Sequence, residues 1–193
     1  QGAALYYANN PDFGANFRYY LNDVPKTLKQ QRTEREKKLF EDKKPIPQPT
    51  QEELLQEQNE DAPYILFTIT DLQDNVIRKI TSKPSKGISN VMWDLKYDSP
   101  MPVRMSEVKF NPVPSSGSGR GRRSSGGMLA TPGTYKVRMD LIVRDEKTTL
   151  SEPVEFETKM LNNATLERDD REDVLAFSAK LSELVRVMRG SQQ

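Results

Sequence analysis

The sequence predicts a mainly β fold, an antiparallel β-sandwich with a helical insertion and a C-terminal helix. Several short segments alternate apolar and polar residues, which is typical of strands that bury one face. Turn-forming residues separate these segments, as in Asp71-Leu-Gln-Asp-Asn75. The chain has 193 residues, enough for one good core with attachments. We therefore expect a single domain with insertions.

The first predicted strand follows a short N-terminal segment. Residues 1–12 are interpreted as a linker from a preceding domain, and the sandwich is expected to span residues 13–161. Within the first alternating segment, Phe17, Tyr19 and Leu21 share one side. That side is predicted to be buried.

A helical insertion is predicted between the first and second strands, at about residues 24–62. Residues 26–41 are rich in Lys, Arg, Glu and Gln, which indicates a highly charged helix. The prolines of residues 45–49 end it. Thr50 and Glu53 then have the spacing of a capping box, which predicts a second, short helix.

The later strands repeat the two-residue period. Trp93 is in phase with its apolar neighbours two positions away on each side, so core packing is favoured over a role as a platform for sugar binding. Short strands separated by turns favour a sandwich with one wet face on each sheet. The predicted core residues are Phe17, Tyr19, Phe67, Ile69, Val91, Trp93, Leu95, Tyr135, Val137 and Phe156.

A flexible loop is predicted at about residues 111–131, with a tip rich in Gly, Ser and Arg. Arg120, Arg122 and Arg123 could contact phosphate groups, as Arg/Gly segments of RNA-binding proteins do. No aromatic residue interleaves them to stack on bases. A solvated loop tip is therefore the preferred interpretation, and nucleic-acid binding is the less favoured alternative.

The C-terminal segment, residues 162–193, is predicted to hold a helix with an apolar stripe. The apolar residues recur at alternating spacings of three and four, so they lie on one face. We expect this face to dock against the sheet's outer edge, the helical insertion or another domain, with two N-terminal residues on the same side. The predicted docking residues are Leu5, Tyr6, Val174, Phe177, Leu181, Leu184 and Met188.

The residue inventory excludes several kinds of chemistry. The chain has no histidine and no cysteine, so imidazole and thiolate ligands and the Ser-His-Asp and Cys-His nucleophiles are all missing. Among its 28 acidic residues, no spacing selects a pair for glycoside hydrolysis. We predict no catalytic residue, no cofactor and no metal site.

The charge balance bears on partners. A net charge of +1 provides no overall attraction to nucleic acid or to anionic membranes. No apolar run reaches the length needed to span a bilayer, so no membrane insertion is expected.

Five short motifs together carry a resemblance. They are Phe17-x-Tyr-Tyr-Leu21, Phe67-x-Ile-x-Asp71, Asn75-Val-Ile-Arg78, the segment from Gly87 to Val91-x-Trp-Asp-Leu95, and Pro132-Gly-Thr-Tyr135. Their set resembles the immunoglobulin-like domain of the flagellar hook-capping type.

The surrounding segments extend that resemblance over nearly the whole chain. Ala4-Leu-Tyr-Tyr7, Val24-Pro-Lys-Thr-Leu28 and Leu161-Asn-Asn-Ala-Thr165 look like the C-terminal region of large secreted bacterial proteins. In these proteins a sortilin-like or neuraminidase-repeat β-propeller precedes such a domain, and many carry the label glycosyl hydrolase. The glycine-rich tip at residues 115–127 is longer and more basic than the family pattern.

The resemblance implies a function and a location. It implies a non-catalytic accessory module of an exported protein, placed in the periplasm, at the cell surface or outside a Gram-negative bacterium. The implied partner is the preceding β-propeller or another exported protein, and carbohydrate is a possible ligand. Two alternatives stay open: a substrate-shaping part of a surface glycan-degrading protein, and a nucleic-acid binder acting through the basic loop.

Overall fold

The computed structural model describes residues 13–101, 127–159 and 168–191. Leu5, Tyr6, the predicted linker and the three arginines of the loop tip lie outside these ranges. Within them the chain forms seven strands and three helices. In chain order they are β1 (Ala15–Leu21), α1 (Leu28–Glu41), α2 (Gln51–Asn59), β2 (Tyr64–Thr70), β3 (Val76–Ser82), β4 (Gly87–Trp93), β5 (Gly133–Val143), β6 (Glu146–Thr149), β7 (Val154–Thr158) and α3 (Arg168–Gly190).

The described strands form two antiparallel sheets. β1 pairs with β4 along its whole length, so that Phe17 faces Val91 and Ala15 faces Trp93. The second sheet has the order β3-β2-β5, and both β6 and β7 pair with β5. The predicted antiparallel β arrangement with helices is therefore present. Helices contribute more than the term mainly β suggests, because α3 alone has 23 residues.

The apolar faces of the two sheets meet in two neighbouring clusters. One cluster centres on Phe67 and Val91, and the other on Trp93 and Tyr135. Each cluster joins residues of both sheets, because β4 supplies Val91 and Trp93 while β2 and β5 supply their partners. Burying these side chains is the main source of stability, at roughly 1.5 to 3 kcal/mol for each large one.

β1 starts where the backbone passes very close to β4. Gly14 has φ of +145°, and a Cβ atom there would lie 2.3 Å from the carbonyl oxygen of Trp93. Only glycine avoids that clash. The close approach brings Phe17 within reach of the second sheet, where its ring meets that of Phe156 edge to face at 5.1 Å.

The helical insertion forms a two-helix arm as predicted. Thr27 and Thr50 each cap a helix in a complete capping box. Neither helix buries a residue. The arm is instead held by charges: Arg32 lies 2.6 Å from Glu57 across the two helices and 2.7 Å from Glu36 along α1.

The predicted flexible loop is shorter than expected at its C-terminal end. Residues 127–130 run beside residues 95–97, and Lys96 forms a β-bridge with Leu129. Tyr97 donates to the carbonyl of Met128 at 2.9 Å, and Ala130 donates to that of Leu95 at 2.7 Å. These backbone hydrogen bonds hold residues 127–130 in place. The sequence had predicted that the flexible loop continues to about residue 131.

Candidate functional site: the outer face of the C-terminal helix

α3 has one face of large apolar residues that is left in solvent. Its members recur at spacings of three and four, as in one seam of a coiled coil. Their exposed fractions run from 48% at Leu181 to 67% at Phe177. We call this face the outer stripe, and it consists of Val174, Phe177, Leu181, Leu184 and Met188.

A different face of α3 is directed to the body of the protein. Leu175, Ser178, Ser182 and Val185 are half-buried, unlike the exposed residues of the outer stripe. Together with the start of β3 and Tyr97, this side of the helix lines a groove of about 600 Å³.

The C-terminal end of α3 is tied to the loop after β4. Arg189 donates from Nη1 to Sδ of Met101 at 2.9 Å. Ala179, which lines the groove, is about 170° around the helix from the middle of the outer stripe, given 100° per residue. The outer stripe therefore points away from the body.

Exposure of this stripe carries a free-energy cost. Five adjacent large apolar side chains form a contiguous patch, and such patches on soluble proteins mark interaction sites. Val187, which the sequence interpretation omitted, is 62% exposed and widens the patch. A helical-wheel projection would have revealed it, because it lies about 60° from Leu184.

The structure separates the predicted docking residues into two groups. The five residues of α3 lie together on the outer stripe, where each is about half exposed or more. What they dock against stays a prediction. Leu5 and Tyr6 lie outside the described residues, and their place beside α3 stays a prediction.

The ten predicted core residues all belong to the two clusters between the sheets. Trp93 is fully buried, and its indole Nε1 donates to the carbonyl of Lys96 at 3.0 Å. It therefore offers no platform to a sugar. Leu95 differs in detail: β4 ends at Trp93, and Leu95 has φ of +56°, yet its side chain still packs on the second cluster.

One carboxylate is fully buried, that of Asp140 on β5. Lys147 Nζ lies 3.0 Å from Asp140 Oδ2, and the hydroxyl of Thr149 donates to Oδ1 at 2.9 Å. Burial raises the pKa of Asp140, but the hydrogen bonds from Lys147 and Thr149 and the charge of Arg138 outweigh it and leave the pKa below its usual range. This carboxylate is ionised and its oxygens are occupied.

Ion pairs also shift pKa values in the helical arm. Hydrogen bonds from Arg32 lower the pKa of Glu57, and those to Glu57 and Glu36 raise the pKa of Arg32. These shifts keep both groups charged, so the cluster serves to join the two helices.

Two other kinds of site are absent from the described ranges. No group of three or more acidic residues there is placed to hold a metal ion. None of the described helices is long and apolar enough to cross a bilayer.

Comparisons with known proteins add no relative. No protein-family model, no curated protein and no solved structure matches this chain.

Proposed function

We propose that this chain is a non-catalytic interaction module, an immunoglobulin-like sandwich that carries α3 as its docking element. The single observation that carries the proposal is the outer stripe. Its five large apolar residues are each about half exposed or more, on the side of α3 turned away from the body. Exposed apolar patches of this kind mark interaction sites.

Two contacts support the immunoglobulin-like assignment. The ring of Trp93 meets that of Tyr135 edge to face at 5.4 Å between the sheets. The hydroxyl of Tyr135 donates to the carbonyl of Thr131, four residues earlier at the start of β5. A buried tryptophan and a tyrosine corner of this kind recur in immunoglobulin-like domains.

The proposal of a non-catalytic role rests on how the buried polar groups are used. Asp140 is neutralised by Arg138 and Lys147. Among the described residues no buried polar side chain lacks a hydrogen-bond partner. A catalytic acid or base commonly has a shifted pKa and stays accessible to substrate. The carboxylate of Asp140 is instead covered by its partners, which favours a structural role.

The parent protein and its location follow from the sequence resemblance. We propose that the module belongs to an exported bacterial protein in the periplasm, at the cell surface or outside the cell. Its partner would be a preceding β-propeller or another exported protein.

One observation favours a second candidate function, contact with carbohydrate. On the outer face of the β1–β4 sheet, the Tyr20 ring is 62% exposed. Nearby, Arg18 donates from Nε to Oδ1 of Asn90 at 3.2 Å. An exposed aromatic ring beside hydrogen-bonding groups suits a sugar ring, which has an apolar face and polar edges. Loss of glycan-array retention in Tyr20→Ala would favour this candidate; no retention by the natural chain would exclude it.

The main proposal is tested with a double substitution on the outer stripe. Phe177→Glu with Leu184→Glu adds charge while keeping residues that favour a helix. The matched control is Phe40→Glu with Ile88→Glu, because these two apolar residues are both 73% exposed and lie on other elements. Binding to the rest of the natural polypeptide, measured by calorimetry, should fall only in the α3 variant. Equal affinity of both variants and the natural chain would contradict the proposal.

A further inference from the structure

A second groove, of about 760 Å³, lies at the base of the helical arm. Its lining residues come from the segment that leads into α1 and its first turn, from the start of β2 and from the end of β3. This volume is within the range of sites that bind small molecules, and most such sites are largely apolar. The apolar lining residues of this groove are Val24, Pro25, Ala62, Pro63, Tyr64 and Pro84.

The groove is held in a fixed shape. Three of its lining residues are prolines, whose φ angles are locked, and two of these, Pro63 and Pro84, are buried. The arm is tied to the sheet nearby, because Glu60 accepts from the N–H of Leu28 at 2.6 Å and pairs with Arg144 at 3.0 Å. A ligand therefore meets a groove that is already formed, and little free energy is lost in ordering it.

The polar residues of the groove favour an anion. Lys83 is the only charged residue among the described ones that line it, and within the described ranges it has no carboxylate partner. Gln30 lines the groove too, and of its amide group only the oxygen is used there, as the acceptor for the N–H of Thr27. An ammonium and an amide nitrogen both donate hydrogen bonds, whereas a carboxylate only accepts them.

Acidic residues near the groove do not cancel this preference. Asp61 precedes a lining residue without lining the groove itself. A smaller hollow adjoins the groove and shares three residues with it, and there lysines outnumber acidic residues by three to two. One of these lysines is paired with an acid at 2.7 Å. The charged residues of the hollow are Asp23, Lys26, Lys29, Glu34 and Lys86.

We propose that the groove binds a small apolar molecule with one carboxylate, such as a medium-chain fatty acid. The apolar body lies against Tyr64 and the buried prolines, and the carboxylate accepts from Lys83 and Gln30. A chain of about ten carbon atoms suits a groove of this volume. The groove lies at the end of β3, whereas the groove beside α3 lies at its start, so this inference does not rest on the docking role of α3.

The first experiment titrates the purified full chain with decanoate and follows backbone amide signals by nuclear magnetic resonance. The signals of Thr27, Tyr64 and Lys83 should move together and saturate with a Kd on the order of 1 mM, as expected for a ligand of about twelve non-hydrogen atoms. Decanol should bind more weakly, and decyltrimethylammonium should leave these signals unchanged. No shift with decanoate, or equal shifts with all three probes, would overturn the inference.

The same spectra show where decanoate binds. Its apolar tail could also cover the exposed outer stripe, in which Phe177 is 67% exposed. Binding at the groove should move the signals of residues 81–83 at lower decanoate concentration than those of residues 174–188. Shifts confined to α3 would overturn the inference, because the groove would then be empty.

Lys83→Gln tests the role of the charge. It should weaken decanoate binding by about fivefold and leave decanol binding unchanged, because it removes only the ion pair with an exposed lysine. The matched control is Lys79→Gln, since Lys79 is also exposed and without a carboxylate partner in the described ranges but does not line the groove. That variant should bind decanoate like the natural chain. Equal losses in the two variants would indicate non-specific attraction and overturn the inference.

Ala62→Trp tests the groove without removing a charge. Ala62 is an exposed lining residue, so a large ring there fills the groove without disturbing the core. The variant should lose binding of both decanoate and decanol. Its amide spectrum should keep the dispersion of the natural chain, which shows that the sheets are folded. Undiminished binding of decanoate by this variant would overturn the inference.

Discussion

Glu60 and Arg144 join the base of the helical arm to the sheet. Arg144 Nε lies 3.0 Å from Oε1 of Glu60, and the other carboxylate oxygen accepts from the backbone N–H of Leu28 at 2.6 Å. The Glu60 side chain is only 3% exposed. One carboxylate thus anchors the start of α1 to the turn that follows β5.

Glu60→Ala should loosen the arm more than the sheets. The substitution leaves the first N–H of α1 and the Arg144 guanidinium without this acceptor, at a cost of about 1 to 3 kcal/mol. Hydrogen exchange followed by mass spectrometry should become faster in α1 and α2 while β2 and β5 stay protected. The control is Glu34→Ala, whose carboxylate pairs with the half-exposed Lys26. Unchanged exchange in the arm would show that the anchor lies elsewhere.

Trp93→Ala should destabilise the whole domain. Trp93 is fully buried, and its ring lies 5.4 Å from that of Tyr135 and 6.0 Å from that of Phe156. Removing a buried aromatic side chain typically costs about 3 to 5 kcal/mol. Urea titration should show this loss, while Met92→Ala on the opposite face of β4 should cost far less. A Trp93→Ala midpoint equal to that of the natural chain would contradict the packing of the two sheets.

Asp140→Asn should lower stability at neutral pH and have less effect in acid. The folded-state pKa of Asp140 is lowered from its usual range, so its ionised form stabilises the fold above the unfolded-state pKa. That contribution is lost as the pH falls through the folded-state pKa. Because Arg138 and Lys147 are partly exposed, a cost of about 1 to 3 kcal/mol is expected at pH ~7. Urea titrations of both proteins at pH ~7 and at pH ~2 should show the difference shrinking; a constant difference would contradict the ionised pair.

Stability should be nearly constant between about pH 5.5 and 8, because only histidine among unperturbed side chains titrates there. The chain has none. Thermal midpoints measured across this interval in buffers of equal ionic strength provide the test. A steep change would reveal a lysine or carboxylate with a strongly shifted pKa, and it would favour a catalytic role for the chain.

Tyr135→Phe tests the corner at the start of β5. The variant keeps the ring against Trp93 and removes only the hydroxyl that donates to Thr131. Loss of one such hydrogen bond costs about 1 kcal/mol. Tyr64→Phe is a suitable control, because Tyr64 is 37% exposed and lies at the other end of the sheet. Equal unfolding free energies for the two variants would show that the hydrogen bond of the Tyr135 hydroxyl does not stabilise the fold.

The sequence alone predicted most of the strands and all three helices, since each has a strong local signal. Exposed and less exposed residues alternate along β1 and β4, and α1 and α2 begin at capping boxes. β6 was missed for a physical reason. All four of its residues are exposed, so it has no alternation, and its turn uses Arg144 and Asp145 with positive φ where Gly or Asn is usual.

The candidate site was predicted as a set of residues but not as a surface. Heptad spacing identified Val174, Phe177, Leu181, Leu184 and Met188 because periodicity depends only on order along the chain. Which side of α3 faces the body is recorded only by the structure, in which Leu175 and Ser182 line the groove beside Tyr97.

The sequence by itself determined the local elements, the core residues and the apolar stripe, because each depends on residues that are close together in the chain. Only the tertiary structure decided the pairing of β1 with β4, the ladder of residues 127–130 on residues 95–97, and the exposure of the outer stripe. Those features join residues far apart in the chain, and their free energy comes from packing and hydrogen bonds that no local pattern records.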